Sequence, residues 1–249
     1  MSQRVAIVMA AGKGTRMKSE LPKVLFPVLG RPMIHYVVDA LEAADIDRII
    51  VVVGYRAEDV QKELAGRSRV TFALQAEQLG TGHAVMMCRD QIADHEGPVL
   101  VVAGDSPMMQ PGSLRAIFAE FDCSHPACIL GTGYKDDPSG LGRIVRDSNQ
   151  RFAAIVEEKD ASPEQKQIHE VNLSTYVFNC RDLLDALKQI RADNVQREYY
   201  LTDCPGALLK AGKDVRALDV LQPCEALSIN NIDELRAVEA ELTRMKSQA

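Results

Sequence analysis

Four short runs in the first half of the chain are apolar and rich in β-branched residues: 5–9, 49–53, 70–74 and 99–102. The first, second and fourth are apolar at nearly every position. A run with no polar side to turn toward water predicts a strand covered on both faces. Between these runs the period changes. Within 33–44, Ile34, Val37, Val38 and Leu41 recur at the three-and-four spacing of one helical face. Shorter stretches at 57–64 and 84–92 repeat that spacing. Strand, helix and strand in succession predict βαβ units and a mostly parallel sheet.

The pattern shifts after Gly131. Asp136-Asp137-Pro138-Ser139-Gly140 is a turn cluster. The stretches 143–146, 152–156 and 171–179 read as further strands with fewer helices between them, which predicts a β-rich lobe laid on the first half. Helix returns at 182–190 and 200–211. A last helix is expected over 230–249. Asn231 can cap it, Asp233 and Glu234 sit in its first turn, and Ile232, Leu235, Val238, Leu242 and Met245 form its stripe. No internal repeat or low-complexity linker interrupts the chain.

Composition narrows the picture. The 249 residues are 46% hydrophobic and 26% charged, too apolar for disorder and enough for one large α/β domain. The longest apolar run, 5–11, has seven residues; a membrane span needs about 20. The amino terminus lacks the ordered n-region, h-region and cleavage site of a signal peptide, so a cytoplasmic protein is expected. Net charge is −6, aromatics are 5% and Trp is absent. With no long block of like charge, neither nucleic acid nor membrane is an expected partner. An anionic ligand must then be held by a local cationic or backbone-amide site. The six cysteines form no C-x-x-C pair and fit no zinc spacing, so reduced and mostly buried thiols are expected.

The first strand runs into Ala10-Ala11-Gly12-Lys13-Gly14-Thr15-Arg16-Met17. Glycines here let backbone N–H groups face an anion as a nest at the carboxyl end of a parallel strand. The dinucleotide fingerprint needs Gly where Met17 stands, and the Walker A spacing is absent. Arg16 and then Lys23, within Leu21-Pro22-Lys23-Val24-Leu25, place two cations near the nest. Arg offers a bidentate fork and Lys a point charge, which together suit a triphosphate. The plainer alternative is a tight turn with two solvated cations.

These two strings resemble the signature of sugar-phosphate nucleotidylyltransferases, and more narrowly the uridylyltransferase domain of bacterial bifunctional enzymes that make UDP-N-acetylglucosamine. The likeness continues in family order to about residue 231. It takes in Leu74-Gln75-Ala76-Glu77-Gln78-Leu79-Gly80-Thr81-Gly82-His83-Ala84, Gly104-Asp105, and Asp136-Asp137-Pro138-Ser139-Gly140-Leu141-Gly142-Arg143-Ile144. It goes on through Ile155-Val156-Glu157-Glu158-Lys159-Asp160-Ala161, Glu198-Tyr199-Tyr200-Leu201-Thr202-Asp203 and Asn230-Asn231. The resemblance implies a nucleotide-diphospho-sugar transferase fold: α/β, with a Rossmann-like, mostly parallel central sheet flanked by helices and a smaller β-rich sugar-binding lobe. On that reading residues 1–229 form the nucleotidylyltransferase domain, with a nucleotide-binding half over about 1–132, a sugar-binding lobe over about 133–229 and the terminal helix at 230–249.

The resemblance also implies roles. Arg16 and Lys23 would be catalytic. Met9, Ala10, Ala11, Gly12, Gln75, Gly80 and Thr81 would hold the nucleotide, with the Gln75 amide offering a donor and an acceptor to a pyrimidine edge. Ala103, Gly104, Gly142, Glu157 and Asn172 would hold the sugar phosphate. Asp105 and Asn230 would hold Mg²⁺. The plainer alternatives are a turn aspartate before Pro107 and a helix-capping asparagine. His83 reads as packing or a surface contact, and Tyr199-Tyr200 as packing. The implied substrates are UTP and N-acetylglucosamine 1-phosphate, and the products UDP-N-acetylglucosamine and pyrophosphate. Alternatives are another sugar 1-phosphate such as glucose 1-phosphate, another nucleotide such as dTTP, or a binding protein without turnover. Many family members have Tyr-Gly-Asp at Ala103-Gly104-Asp105 and Asn-Thr-Gly at Asn172-Leu173-Ser174, and both departures lie near the expected sugar pocket. The bifunctional enzymes continue into a left-handed β-helix bearing an acetyltransferase and a trimerising surface. No hexapeptide repeat occurs up to Ala249, so acetyl transfer is not expected of these residues. The oligomeric state is left open.

Overall fold

Val5, Ala6, Ile7 and Val8 are all fully buried, so the first strand is covered on both faces as its sequence predicts. The computed structural model describes residues 3–14, 20–229 and 231–247. In it β1 (Val5–Met9) is followed, among the described residues, by a 3₁₀ turn at Lys23–Leu25 and a two-stranded ribbon, β2 (Pro27–Val28) and β3 (Arg31–Pro32). Then come α1 (Met33–Ala43), β4 (Arg48–Val53), α2 (Ala57–Glu63), β5 (Val70–Leu74), the short helices α3 (Thr81–Met86) and α4 (Arg89–Ile92), and β6 (Pro98–Ala103). The chain continues through α5 (Pro111–Ser124), β7 (Cys128–Tyr134), β8 (Gly142–Arg146), β9 (Phe152–Val156), β10 (Glu170–Asn179), α6 (Cys180–Leu187), α7 (Asp203–Lys210), β11 (Val215–Asp219) and α8 (Ile232–Lys246).

The main sheet has the order β11-β7-β10-β6-β1-β4-β5, with β8 and β9 extending it from β10. β1, β4, β5 and β6 run parallel, and β10 runs antiparallel between β6 and β7. Alternate side chains face opposite layers. Val5, Ile7, Val99 and Val101 pack with Val85, Ile92, Leu183 and Leu208 from α3, α4, α6 and α7. Ala6, Val8, Leu100 and Val102 pack with Val38, Leu41, Ile117 and Phe118 from α1 and α5. The result is a three-layer α/β/α arrangement.

Register fixes where the strands end. Met9 lies opposite both Val52 and Ala103, so β1, β4 and β6 finish level. Thr175 of β10 lies opposite Val102, which brings residues 172–174 to the same edge. Strand order reverses beside β1, where the chain steps from β4 and β5 back to β6. Open α/β sheets place ligands at the carboxyl end of such a switch point.

A third, small core joins α8 to the β2–β3 ribbon through Val28, Met33, Ile229, Val238 and Leu242. Asn231 caps α8 as expected: its Oδ1 accepts from the Glu234 N–H at 2.9 Å. Helix α6 starts earlier than its apolar pattern suggests, because Asn179 Oδ1 accepts from the N–H groups of Arg181 and Asp182 and caps it. Helix α7 starts later than expected, at Asp203.

Five of the strands and α-helices were not predicted from the sequence: β2, β3, α5, β7 and β11. β7 carries Gly131 and Gly133, poor strand formers, and runs through the point where the hydrophobic pattern shifts. A Cβ at Gly131 would meet Ile117 Cδ1 at 2.8 Å, so close approach of α5 explains that glycine. All six cysteines are unpaired, and four are buried. Burial pushes the Cys88 and Cys204 thiols up to about 12, keeping them neutral. Among the described residues no helix is long and apolar enough to cross a membrane.

Ile7 sits at the sheet centre with its side chain buried against the layer of α3, α4, α6 and α7. Ile7→Ala removes three buried carbons and is expected to cost about 2–5 kcal/mol, read as a lower urea midpoint. A loss under about 1 kcal/mol would contradict the burial of this side chain in that layer.

Candidate active site

Three strand ends are knitted by backbone hydrogen bonds. The Ala10 N–H donates to the Val52 carbonyl at 2.9 Å, the Tyr55 N–H to Ala11 at 3.1 Å, and the Gly104 N–H to Met9 at 2.9 Å. Beyond them opens a cleft of about 390 Å³, walled by Met9, Ala10, Ala11, Gly12, Lys23, Gln75, Gly80, Thr81, Ala103 and Asp105. It shares Met9, Thr81 and Ser174 with a compartment of about 140 Å³ lined by Gly142, Glu157 and Asn172. A third compartment of about 220 Å³ opens on Lys23, Ala103, Asp105 and Asn172. Residues expected at the nucleotide, the sugar phosphate and the metal thus line one continuous depression. Gly104 does not line it. A Cβ there would lie 3.0 Å from the Met9 carbonyl oxygen and 3.1 Å from Val24, so this glycine lets β6 close against β1. Arg16 and Asn230 lie outside the described residues.

At the joint of the compartments, Lys23 Nζ stands 2.6 Å from Asp105 Oδ2. The 3₁₀ turn holds Lys23 there, with the Leu25 N–H donating to the Pro22 carbonyl at 2.9 Å. Gly14 has φ +68°, and a Cβ on it would fall 2.6 Å from Lys23 Cβ. Only glycine allows both that backbone and that approach. Lys13 lies 5.1 Å from the centroid of the Tyr55 ring, a cation–π contact that ties the loop to the turn after β4.

At one end of the cleft Gln75 is nearly fully buried. Its Nε2 donates to the Gly80 carbonyl and to His83 Nδ1, each at 3.1 Å. Gly80 has φ +109°, and a Cβ would strike the Tyr199 carbonyl oxygen at 2.6 Å. Segment 198–201 clamps this loop. The Tyr199 N–H donates to Leu79 at 2.8 Å, the Gly82 N–H to Tyr199 at 2.7 Å, and the Leu201 N–H to Thr81 Oγ1 at 3.0 Å.

At the other end Thr202 Oγ1 donates to Glu157 Oε1 at 2.9 Å. Burial pushes the Glu157 carboxyl above the usual range; the Thr202 hydrogen bond opposes this, and the nearby Asp160 and Asp203 add to it. Asn172 Oδ1 accepts from the Ser174 N–H at 3.2 Å, inside a bulge where β10 slips against β7. Ser174 takes φ +54°, the left-handed region. The turn before β8 is fastened from below: buried Arg143 pairs with Glu158 at 2.7 Å, and Glu158 accepts from the Gly140 N–H at 3.2 Å.

Gln78, Ser174, Glu198 and Thr202 also line the cleft, and sequence reasoning did not single them out as site residues. The signal for the last two was the string Glu198-Tyr199-Tyr200-Leu201-Thr202-Asp203 in family order. Asp105 supplies one hard oxygen donor at the joint. That suits Mg²⁺, which keeps several waters and takes further ligands from phosphates. Among the described residues no group of three His, Cys, Asp or Glu side chains could hold a metal ion by itself.

A three-layer α/β fold with this cleft at its switch point defines a nucleotide-binding class, and comparison with known proteins agrees. The MobA-like NTP transferase domain matches residues 6–204, and the chain belongs to that family. It is 46% identical over 239 residues to the bifunctional protein GlmU of Pelotomaculum thermopropionicum, covering 96% of this chain and 52% of that protein. It is 45% identical over 246 residues to the bifunctional protein GlmU of Streptococcus suis, covering 98% and 53%. The chain therefore spans about half the length of the curated relatives it matches. Among solved structures, UDP-glucose pyrophosphorylase complexed with UDP-glucose superposes with a TM-score of 0.79 over 98% of this chain and 100% of that one. At 16% identity this likeness speaks for the fold alone.

Burial makes Glu157 harder to ionise in the folded chain than in the unfolded one, so its ionisation opposes folding. That penalty is absent below the ordinary glutamate value of about 4.3 and sets in as pH rises through the raised folded value. Glu157→Gln keeps an acceptor for Thr202 and removes the charge. Urea midpoints measured against pH should show the variant more stable than wild type at about pH 7, with the gap closing toward about pH 4. Equal midpoints at neutral pH would contradict the burial of a charged carboxylate.

Proposed function

We propose that this chain is a uridylyltransferase, joining UTP to N-acetylglucosamine 1-phosphate to give UDP-N-acetylglucosamine and pyrophosphate. The observation that carries the reading is the continuity of the cleft across the Lys23–Asp105 pair. A glycine-lined nest and a buried amide stand on one side of that pair. A carboxylate and an amide suited to sugar hydroxyls stand on the other. Transfer of a nucleotidyl group to a sugar phosphate needs two such compartments meeting at the phosphates. Uridine and N-acetylglucosamine are chosen on the motif resemblance at 74–84 and 140–144.

In this reaction a phosphate oxygen of the sugar 1-phosphate attacks the α-phosphorus of UTP in line. The bond from that phosphorus to the oxygen bridging to the β-phosphate breaks, and pyrophosphate leaves with the oxygen. A phosphate monoester is largely ionised at pH 7, its second pKa being about 6, so no protein nucleophile or base is required. The chain's contribution is alignment and charge neutralisation. The amides of Ala11 and Gly12, with Arg16, steady the β- and γ-phosphates. Lys23 leaves Asp105 to face the α-phosphate and the incoming oxygen. Gln75, Gly80 and Thr81 hold the base end. Gly142, Glu157 and Asn172 hold the sugar, and Ala103 leaves room beside them. Asp105 and Asn230 would hold Mg²⁺, which supplies neutralisation of phosphate charge when bound.

Lys23→Ala and Asp105→Ala are each expected to lower turnover by about 10²–10³ while circular dichroism is unchanged. Coupled pyrophosphate release, measured over a panel of UTP, dTTP and CTP with N-acetylglucosamine 1-phosphate or glucose 1-phosphate, should be fastest for the first of each. EDTA should abolish it. Near wild-type rates in both variants would end this mechanism. Tight UDP-sugar binding without pyrophosphate release would replace the enzyme by a binding protein.

A further inference from the structure

Gln75 lines the cleft with a side-chain amide whose orientation chemistry decides. One atom of that amide lies 3.1 Å from the Gly80 carbonyl oxygen, which can only accept, so the atom is the nitrogen. The same nitrogen lies 3.1 Å from His83 Nδ1. An amide nitrogen donates and does not accept. His83 Nδ1 is therefore the acceptor, and the neutral imidazole carries its proton on Nε2. Both amide hydrogens are now committed within the protein. What Gln75 has left for a ligand is the two lone pairs of Oε1.

We infer that His83 is a positioning residue which makes Gln75 an acceptor-only contact and so selects uracil or thymine triphosphates over cytosine ones. The inference rests on the nucleotidyl-transfer reading of this cleft. Uracil and thymine present an N3–H donor to such an acceptor. Cytosine has a bare acceptor at N3, and its only donor on that edge is the exocyclic amine one position out. Two lone pairs facing each other in a site shielded from water cost far more than a lost contact, because neither is satisfied. The Gly80 arm of the lock is set by the backbone: its φ of +109° and the Tyr199 carbonyl behind it leave it no freedom. The His83 arm is a side chain on the first turn of α3, its ring 6.4 Å from that of Tyr199, and it alone can be removed without moving the chain. Without it one amide hydrogen is released. The Gln75 amide is then held by the Gly80 bond alone and can swing about it, so Oε1 is no longer kept in line for the N3–H and the released N–H can be offered to cytosine.

The test compares kcat and KM for UTP and for CTP, each with N-acetylglucosamine 1-phosphate, in wild type, His83→Ala, His83→Phe and His83→Asn. Phe keeps a ring against Tyr199 and has no acceptor, so it stands in if the Ala variant fails to fold. Asn can place Oδ1 where Nδ1 lay. The UTP/CTP ratio of kcat/KM should fall about tenfold or more in the Ala and Phe variants, mostly through a higher KM for UTP, and should largely persist in Asn. A ratio unchanged in Ala and Phe, or lost equally in Asn, overturns the role of His83. Failure of wild type to turn over any pyrimidine triphosphate overturns the nucleotidyl-transfer reading instead.

Discussion

The cleft exists because two neighbouring parallel strands, β1 and β6, are apolar on both faces and end level with one another. A strand clothed by helices above and below cannot slip by one residue without exchanging its two sets of side chains, and those sets differ in size: Val5 and Ile7 on one side, Ala6 and Val8 on the other. That constraint sets Met9 beside Ala103. The backbone amides of Ala11 and Gly12 and the Asp105 carboxylate lie two or three residues past this pair. The burial of a few valines thus fixes where backbone amides and a carboxylate meet.

Beyond the sheet edge, burial gives way to specific polar contacts, and the loops are held by few of them. Lys23 and Asp105 pair across the mouth, segment 198–201 clamps the loop after β5, and Arg143 with Glu158 fastens the turn before β8. Unfavourable features gather here too. Ser174 takes a left-handed backbone without being glycine, and Glu157 is a carboxylate raised by burial. Sites that must match a ligand store such features, and the surrounding packing offsets them.

β10 unites the two ends of the cleft. Running antiparallel between β6 and β7, it carries Asn172 and Ser174 to the edge where the parallel strands finish, and its bulge turns them toward the joint. The β8–β9 pair hangs from the same strand and brings Gly142 and Glu157 with it. The Glu157 end of the cleft is therefore an extension of the sheet that carries the Gln75 end.

Much of this was legible in the linear chain because it is local. Periodicity in 5–9, 33–44 and 99–102 depends only on neighbouring residues, as does the cap at Asn231, and each appears where the pattern places it. The loop at 10–17 and the strings at 74–84 and 140–144 marked the family, since glycines and charges at fixed spacing leave a trace in sequence. Other features depend on partners far away. β7 was missed because its glycines answer to α5 and to Leu221, not to strand propensity. Thr202 stood in a family string without a role until it met Glu157, 45 residues earlier. His83 read as packing or a surface contact, and Gln75 as a donor and acceptor together, until the fold set the imidazole against the amide nitrogen. Sequence alone determined which strands form and which loop carries the charge, because those follow from local pattern. Only tertiary structure decided which hydrogen-bonding capacity each side chain has left to offer, because that depends on which groups folding brings within 3 Å of each other.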